Sequence, residues 1–179
     1  MNGTSYNGVA STTSRVETRY DVTGHQIREL VDQAIHGVAR PRRAVSLARQ
    51  VVDSGMLYSW GGGDLNGPTL GISGPGLGVN DDRVVGMDCS SFARYVVFHA
   101  FGVQLPRTSG AQWSASVPVR LDRAQPGDLV FPVGTRGVDH VQIYIGDGLI
   151  AEQYQSGTPA RIIPINPVDE IRRPIGIPL

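Results

Sequence analysis

Along this chain, apolar residues recur first at every third or fourth position and later at every second, so the pattern changes from helical to extended partway through. In "TGHQIRELVDQAIHGVA", Thr23 stands as N-cap with Gln26 three residues on, and Ile27, Leu30, Val31, Ala34, Ile35 and Val38 follow at helical spacing. A second helix is predicted from Pro41 to Ser54, with Val45, Leu47, Ala48, Val51 and Val52 as its apolar positions and Gly55 as its stop. The two are expected to pack as a hairpin or against the main body. The stretch "YSWGGGDLNGPTLGISGPGLGVNDDRVVGM" is so rich in Gly and Pro that it predicts loops and turns. A central helix follows Cys89, with Phe92, Tyr95, Val96 and His99 on one stripe and Gly102 at its end. From Pro126 onward the chain reads as short strands, "DLVFPV", "HVQIYIG", "LIAEQY", "ARIIPI" and "RRPIGI", divided by Gly, Asp, Pro and Ser. Helices first and an antiparallel sheet afterwards predict an α+β fold.

Length sets the number of units: 179 residues suit one domain with a lead-in. Residues 1–22 read as a flexible leader rich in Ser, Thr, Asn and Gly, residues 23–55 as a helical segment and residues 56–179 as the main domain. Sixteen basic and sixteen acidic side chains leave no net charge, which argues against nucleic acid as a partner. The basic residues are all arginine, a compositional bias without a mechanism attached. The first thirty residues contain no apolar run of the kind a secretory signal needs, and no stretch is long enough to span a bilayer.

The single cysteine, Cys89, has no disulfide partner within the chain. Asp88 is placed to cap the helix that follows, which puts the thiol in a first turn where free N–H groups and the helix dipole favour a thiolate. Free cysteine is also a common buried apolar residue, and position alone favours that plainer role. A histidine changes the balance. Strand alternation sends His140, Gln142 and Tyr144 to one face and Val141, Ile143 and Ile145 to the core, leaving His140 available for chemistry. His25, His36 and His99 lie in helical segments where packing or surface roles are commoner. The turn "GDG" at 146–148 folds the chain back, and an even-numbered register places Glu152 across from His140, where its carboxylate can hold the imidazole.

Four blocks in order, "YSWGGG", "DCSSFARYVVFHAFGVQLPRTSGAQW", "QPGDLVFPV" and "HVQIYIGDGLIAE", resemble the NlpC-type papain-like cell-wall peptidases over about residues 56–165. Within them "GGGDLNGPT" and a glutamate in the third catalytic position resemble the resuscitation-promoting-factor-interacting endopeptidases of mycobacteria and their relatives. Many other relatives carry histidine in that position. The resemblance implies a papain-like fold and hydrolysis of the amide between D-Glu and meso-diaminopimelate in peptidoglycan stem peptides. It assigns Cys89 as nucleophile, His140 as general base and then acid, Glu152 as the residue orienting His140, and Tyr58 as a donor to the oxyanion. Asp88, Ser90 and Trp60 are expected to contact the stem peptide. Pro132 and Gln142 depart from the family pattern, so one groove wall is expected to differ.

"DLNG" and "VNDDR" read as turn formers, and no metal or cofactor is expected. The resemblance further implies a monomer that is extracytoplasmic, either secreted or associated with the cell wall. Two alternatives stand beside the endopeptidase: a catalytically silent or latent wall-binding module, and an amidase or acyl transferase on a related amide. Residues 1–22 are expected to occupy the groove and restrain activity, and the helical segment to serve as scaffold in preference to lid.

Overall fold

The structure, a computed structural model, describes the backbone of residues 24–73, 80–132, 134 and 138–177, with side chains from residue 39 onward. The expectations for the leader, for Thr23 as N-cap and for the apolar stripe of Ile27 to Val38 fall outside these described residues.

Where two helices were expected there is one. Helix α1 runs unbroken over Gly24–Asp53 with Pro41 inside it. An internal proline forfeits a backbone hydrogen bond and crowds the preceding turn, at a cost of about 3 kcal/mol. Burial of Ala44, Ala48 and Val51 in the main core acts against that cost by holding the second half of α1 in place. This half packs on the core of the main domain. The helix stops before Gly55, whose φ of 67° suits a residue without Cβ.

After α1 comes a Gly-rich segment whose described residues hold two short strands, β1 (Thr69–Leu70) and β2 (Val85–Gly86), paired antiparallel. Its glycines permit close approach: a Cβ on Gly86 would lie 2.1 Å from the carbonyl oxygen of Leu57. Helix α2 spans Cys89–Phe101 and ends at Gly102 in the left-handed conformation, with φ 75°. Helix α3 follows at Ser109–Ser114.

The remaining strands are β3 (Ser116–Pro118), β4 (Leu129–Phe131), β5 (Gln142–Gly146), β6 (Leu149–Glu152), β7 (Arg161–Pro164) and β8 (Glu170–Pro174). They make one six-stranded sheet in the order β3-β8-β4-β5-β6-β7, antiparallel throughout. Each of the five predicted strands is present; β3, in the polar run "WSASVPVR", was not foreseen.

The alternation along β5 is real. Val141, Ile143 and Ile145 pack with Phe92, Val96 and Val97 of α2, while Tyr144 joins Val130, Ile150 and Ile171 in a second cluster. That face of the sheet is therefore buried as well, which the polar look of His140, Gln142 and Tyr144 did not suggest. At the far side of the sheet Arg173 and Asp128 form a buried two-pronged ion pair, Nε to Oδ1 and Nη2 to Oδ2, both at 2.7 Å. It ties β8 to the start of β4.

Candidate functional site

Asp88 caps α2 as expected. Its backbone is extended, and its Oδ1 accepts from the Ser91 N–H at 2.7 Å. Cys89 is thereby the first residue of the helix, free and only 7% exposed. The same Asp88 carboxylate accepts from the Ser90 hydroxyl and from both Nη1 and Nη2 of Arg107. Arg107 also donates to Ser90 Oγ, and Gln112, fully buried, donates to the Ser90 carbonyl oxygen. Asp88 and Ser90 are thus engaged by Arg107. Neither is among the residues lining the groove described below.

The hairpin β5–β6 turns through Asp147 (φ 53°) and Gly148 (φ 72°), two left-handed residues in succession, as a tight hairpin requires. Its register pairs Ile143 with Ala151 and Tyr144 with Ile150. Glu152 consequently stands opposite Gln142, and His140 lies diagonally from it, two residues outside the expected pairing. The expected contact forms nonetheless, because diagonal neighbours on one face are within reach of long side chains: His140 Nε2 and Glu152 Oε2 are 2.8 Å apart. Gln142 donates to the same oxygen at 2.9 Å, and Arg161 reaches Oε1 with both Nε and Nη2.

The Cys89 thiol lies close enough to His140 to act on its protonation. With Nε2 committed to Glu152, Nδ1 is the nitrogen that remains for the sulfur. Burial works against a charge on the imidazole, but hydrogen bonds and charge from Cys89 and Glu152 outweigh it and raise its pKa to about 9. Burial would likewise raise Glu152, yet hydrogen bonds from His140, Gln142 and Arg161 lower it to about 2. Tyr58 is buried beside the same thiol. Burial first, then the charges of Cys89, Asp88 and Asp81, push its phenol well above the usual range, with Arg107 opposing them. Its hydroxyl therefore stays a donor at neutral pH.

A groove of about 950 Å³ opens over His140, Gln142 and Glu152. Tyr58 and Trp60 form one wall, Tyr154 to Ser156 another, and Pro132 and Asp139 also line it. Asp81 joins the first two walls, since its Oδ2 accepts from the Trp60 backbone N–H at 2.7 Å and the Ser156 hydroxyl at 2.6 Å. Trp60 remains 41% exposed to whatever enters. Pro132 and Gln142, the two departures read in the sequence, both face this groove.

The structure brings Cys89, His140 and Glu152 together, with Tyr58 and Asp88 at the thiol and Trp60 on the groove wall. Sequence reasoning missed Arg107, Asp81, Tyr154 and Arg161. Arg107 lies inside the block "LPRTSGAQW" and was open to notice; the other three are placed by strand register and loop closure. Among the described residues, no cluster of His, Cys, Asp and Glu is arranged to hold a metal ion.

An imidazole held between a thiol and a buried carboxylate can keep the thiol ionised and move a proton to a leaving group. The fold that carries these groups, an antiparallel sheet with its helices ahead of it in the chain, is of a known class. The model of the NlpC/P60 family matches residues 55–166, beginning where α1 ends, and the chain belongs to that family. It is 39% identical over 129 residues to the peptidoglycan endopeptidase RipB of Mycobacterium tuberculosis, covering 71% of this chain and 50% of that protein. The chain thus spans about half the length of this relative. The P60 domain of an antigen from M. avium subspecies paratuberculosis superposes with a TM-score of 0.59 at 33% identity, covering 76% of this chain and 97% of that one. RipD of M. tuberculosis, described as a non-catalytic NlpC/p60 domain protein adapted to peptidoglycan binding, superposes with a TM-score of 0.56 at 27% identity, covering 73% of this chain and 96% of that one. No described helix is long and apolar enough to cross a membrane.

Proposed function

We propose that this domain is a cysteine endopeptidase that hydrolyses the D-Glu to meso-diaminopimelate amide of peptidoglycan stem peptides, working outside the cytoplasm at the cell wall. The observation that carries the reading is His140 held between the Cys89 thiol and the buried Glu152 carboxylate at the edge of a groove. The Cys89 thiolate attacks the amide carbonyl carbon, and Tyr58 and the Cys89 N–H donate to the oxyanion. As the C–N bond breaks, the His140 imidazolium gives its proton to the leaving amine, and a thioester remains. The neutral imidazole then takes a proton from water, which attacks the thioester, releases the acid and restores the thiolate–imidazolium pair. Glu152 keeps the ring turned and favours its charged form throughout.

The test is mass spectrometry of defined muropeptides after incubation with the wild type and with Cys89→Ala. Product cut between D-Glu and diaminopimelate with the wild type alone supports the assignment. A different cut amide would redirect it to an amidase. Binding without cutting would favour the wall-binding reading, for which RipD is a structural precedent.

A further inference from the structure

Glu152 is 1% exposed, yet the side chain that meets its Oε1 comes from the rim: Arg161 is 46% exposed. The strand register explains the meeting. Glu152 and Arg161 are direct cross-strand partners between β6 and β7, and Gln142 stands opposite Glu152 on β5, so three side chains form a row across three strands. Arg161 donates through Nε and Nη2 to the one oxygen, at 2.8 and 2.7 Å, which leaves Oε2 for His140 and Gln142. Its guanidinium lies 4.3 Å over the ring of Tyr154, and that ring stands edge-on to His140 at 6.0 Å.

We propose that Arg161 is a positioning residue of this site, locking Glu152 as a carboxylate turned toward His140 and supplying the positive charge that balances the Cys89, His140 and Glu152 set. The proposal rests on the reading that these three groups form the hydrolytic triad. Thiolate, imidazolium and carboxylate together carry a net negative charge in a largely buried place, and an uncompensated buried charge is unfavourable. Gln142 contributes a hydrogen bond but no charge. Arg161 contributes both, and its stacking on Tyr154 fixes the plane from which it does so. The other titratable and charged groups around this point are Cys89 from α2, Tyr58 ahead of it, His140 and Asp139 ahead of β5, Asp169 further along the groove, and Asp81, Asp88 and Arg107 around Tyr58. Arg107 is the other permanent cation, but its guanidinium is engaged by the Asp88 carboxylate, and among the described residues only Arg161 touches Oε1.

The experiment compares Arg161→Met and Arg161→Lys with the wild type on muropeptides across pH, together with the pH dependence of Cys89 alkylation by iodoacetamide, which is site-specific because the chain has one cysteine. For Arg161→Met, kcat is expected to fall by about 10- to 100-fold, as for other partners that orient a working imidazole, with KM little changed. The acid limb of both profiles should move to higher pH, because a carboxylate without its cation takes up a proton sooner. Arg161→Lys, which keeps the charge, should hold its acid limb near that of the wild type. A folded Arg161→Met with wild-type kcat and an unmoved acid limb would overturn the proposal. So would an Arg161→Met that does not fold, or an Arg161→Lys that shifts as far as Met, since the residue would then serve the fold or act by shape alone. If the wild type cuts no muropeptide, the hydrolytic reading fails, while the alkylation profiles still decide the role of Arg161.

Discussion

Asp88 and Arg107, nineteen residues apart, meet through both ends of the carboxylate, with Nη2 to Oδ2 at 2.6 Å and Nη1 to Oδ1 at 3.0 Å. The same Asp88 caps α2, so one side chain both starts the helix that carries Cys89 and anchors the segment leading into α3. Arg107→Met should leave a nearly buried carboxylate with its cap bond and the Ser90 hydroxyl but no cation. Because Arg107 is itself partly exposed, the expected loss is about 1–2 kcal/mol, below that of a fully buried pair. Urea unfolding followed by circular dichroism measures it.

Removing the groups that handle the proton should separate by role. Cys89→Ala and His140→Ala are expected to abolish muropeptide cleavage, whereas Glu152→Gln, which keeps size and one acceptor, should retain a slow rate. Chromatographic product counts over long incubations distinguish a slow enzyme from a dead one. A Glu152→Gln protein with wild-type turnover would show that the carboxylate plays no part.

Tyr58→Phe removes one hydroxyl and no packing. A donor aimed at a developing oxyanion is worth about 3 kcal/mol, so kcat should fall roughly 100-fold with stability nearly unchanged. Unaltered kcat would take the hydroxyl out of the mechanism.

The raised His140 pKa makes stability depend on pH. Its favourable contribution is complete below its ordinary 6.5 and is lost as pH rises through about 9, where the folded protein also gives up the proton. Glu152 acts at the other end: its contribution is present above the ordinary 4.5 and is lost as pH falls toward about 2. Thermal melts should therefore show Tm declining between pH 6.5 and 9 in the wild type, with a flatter course in His140→Gln. Cleavage should fade above about pH 9 as the leaving group loses its acid.

Two ion pairs offer a control on burial. Asp128→Ala strands the buried guanidinium of Arg173 and should cost about 3–5 kcal/mol. Asp122→Ala breaks an exposed pair with Arg120 and should change stability by less than about 1 kcal/mol. Parallel denaturant titrations of the two variants check the contrast.

Local chemistry was enough to place several features from the sequence alone. Asp88 before an apolar run announces a helix start, Gly102 its end, and alternating Val141, Ile143 and Ile145 a strand with one face in the core, because capping, left-handed backbone and pleat are properties of a few consecutive residues. The places of Cys89 in the first turn of a helix and of His140 just ahead of a strand were legible for the same reason. What remained hidden depends on partners distant in the chain. Pro41 reads as a helix start until the burial of Ala44, Ala48 and Val51 against the body carries the helix through it. Glu152 reads as the partner of His140, but the turn at Asp147 and Gly148 sets a register two residues away, with Gln142 opposite. Arg161 and Asp81 carry no local mark at all. They gain their partners only when β7 pairs with β6 and Asp81 meets Trp60 and Ser156, since register and long-range contacts are settled by the packing of the whole domain.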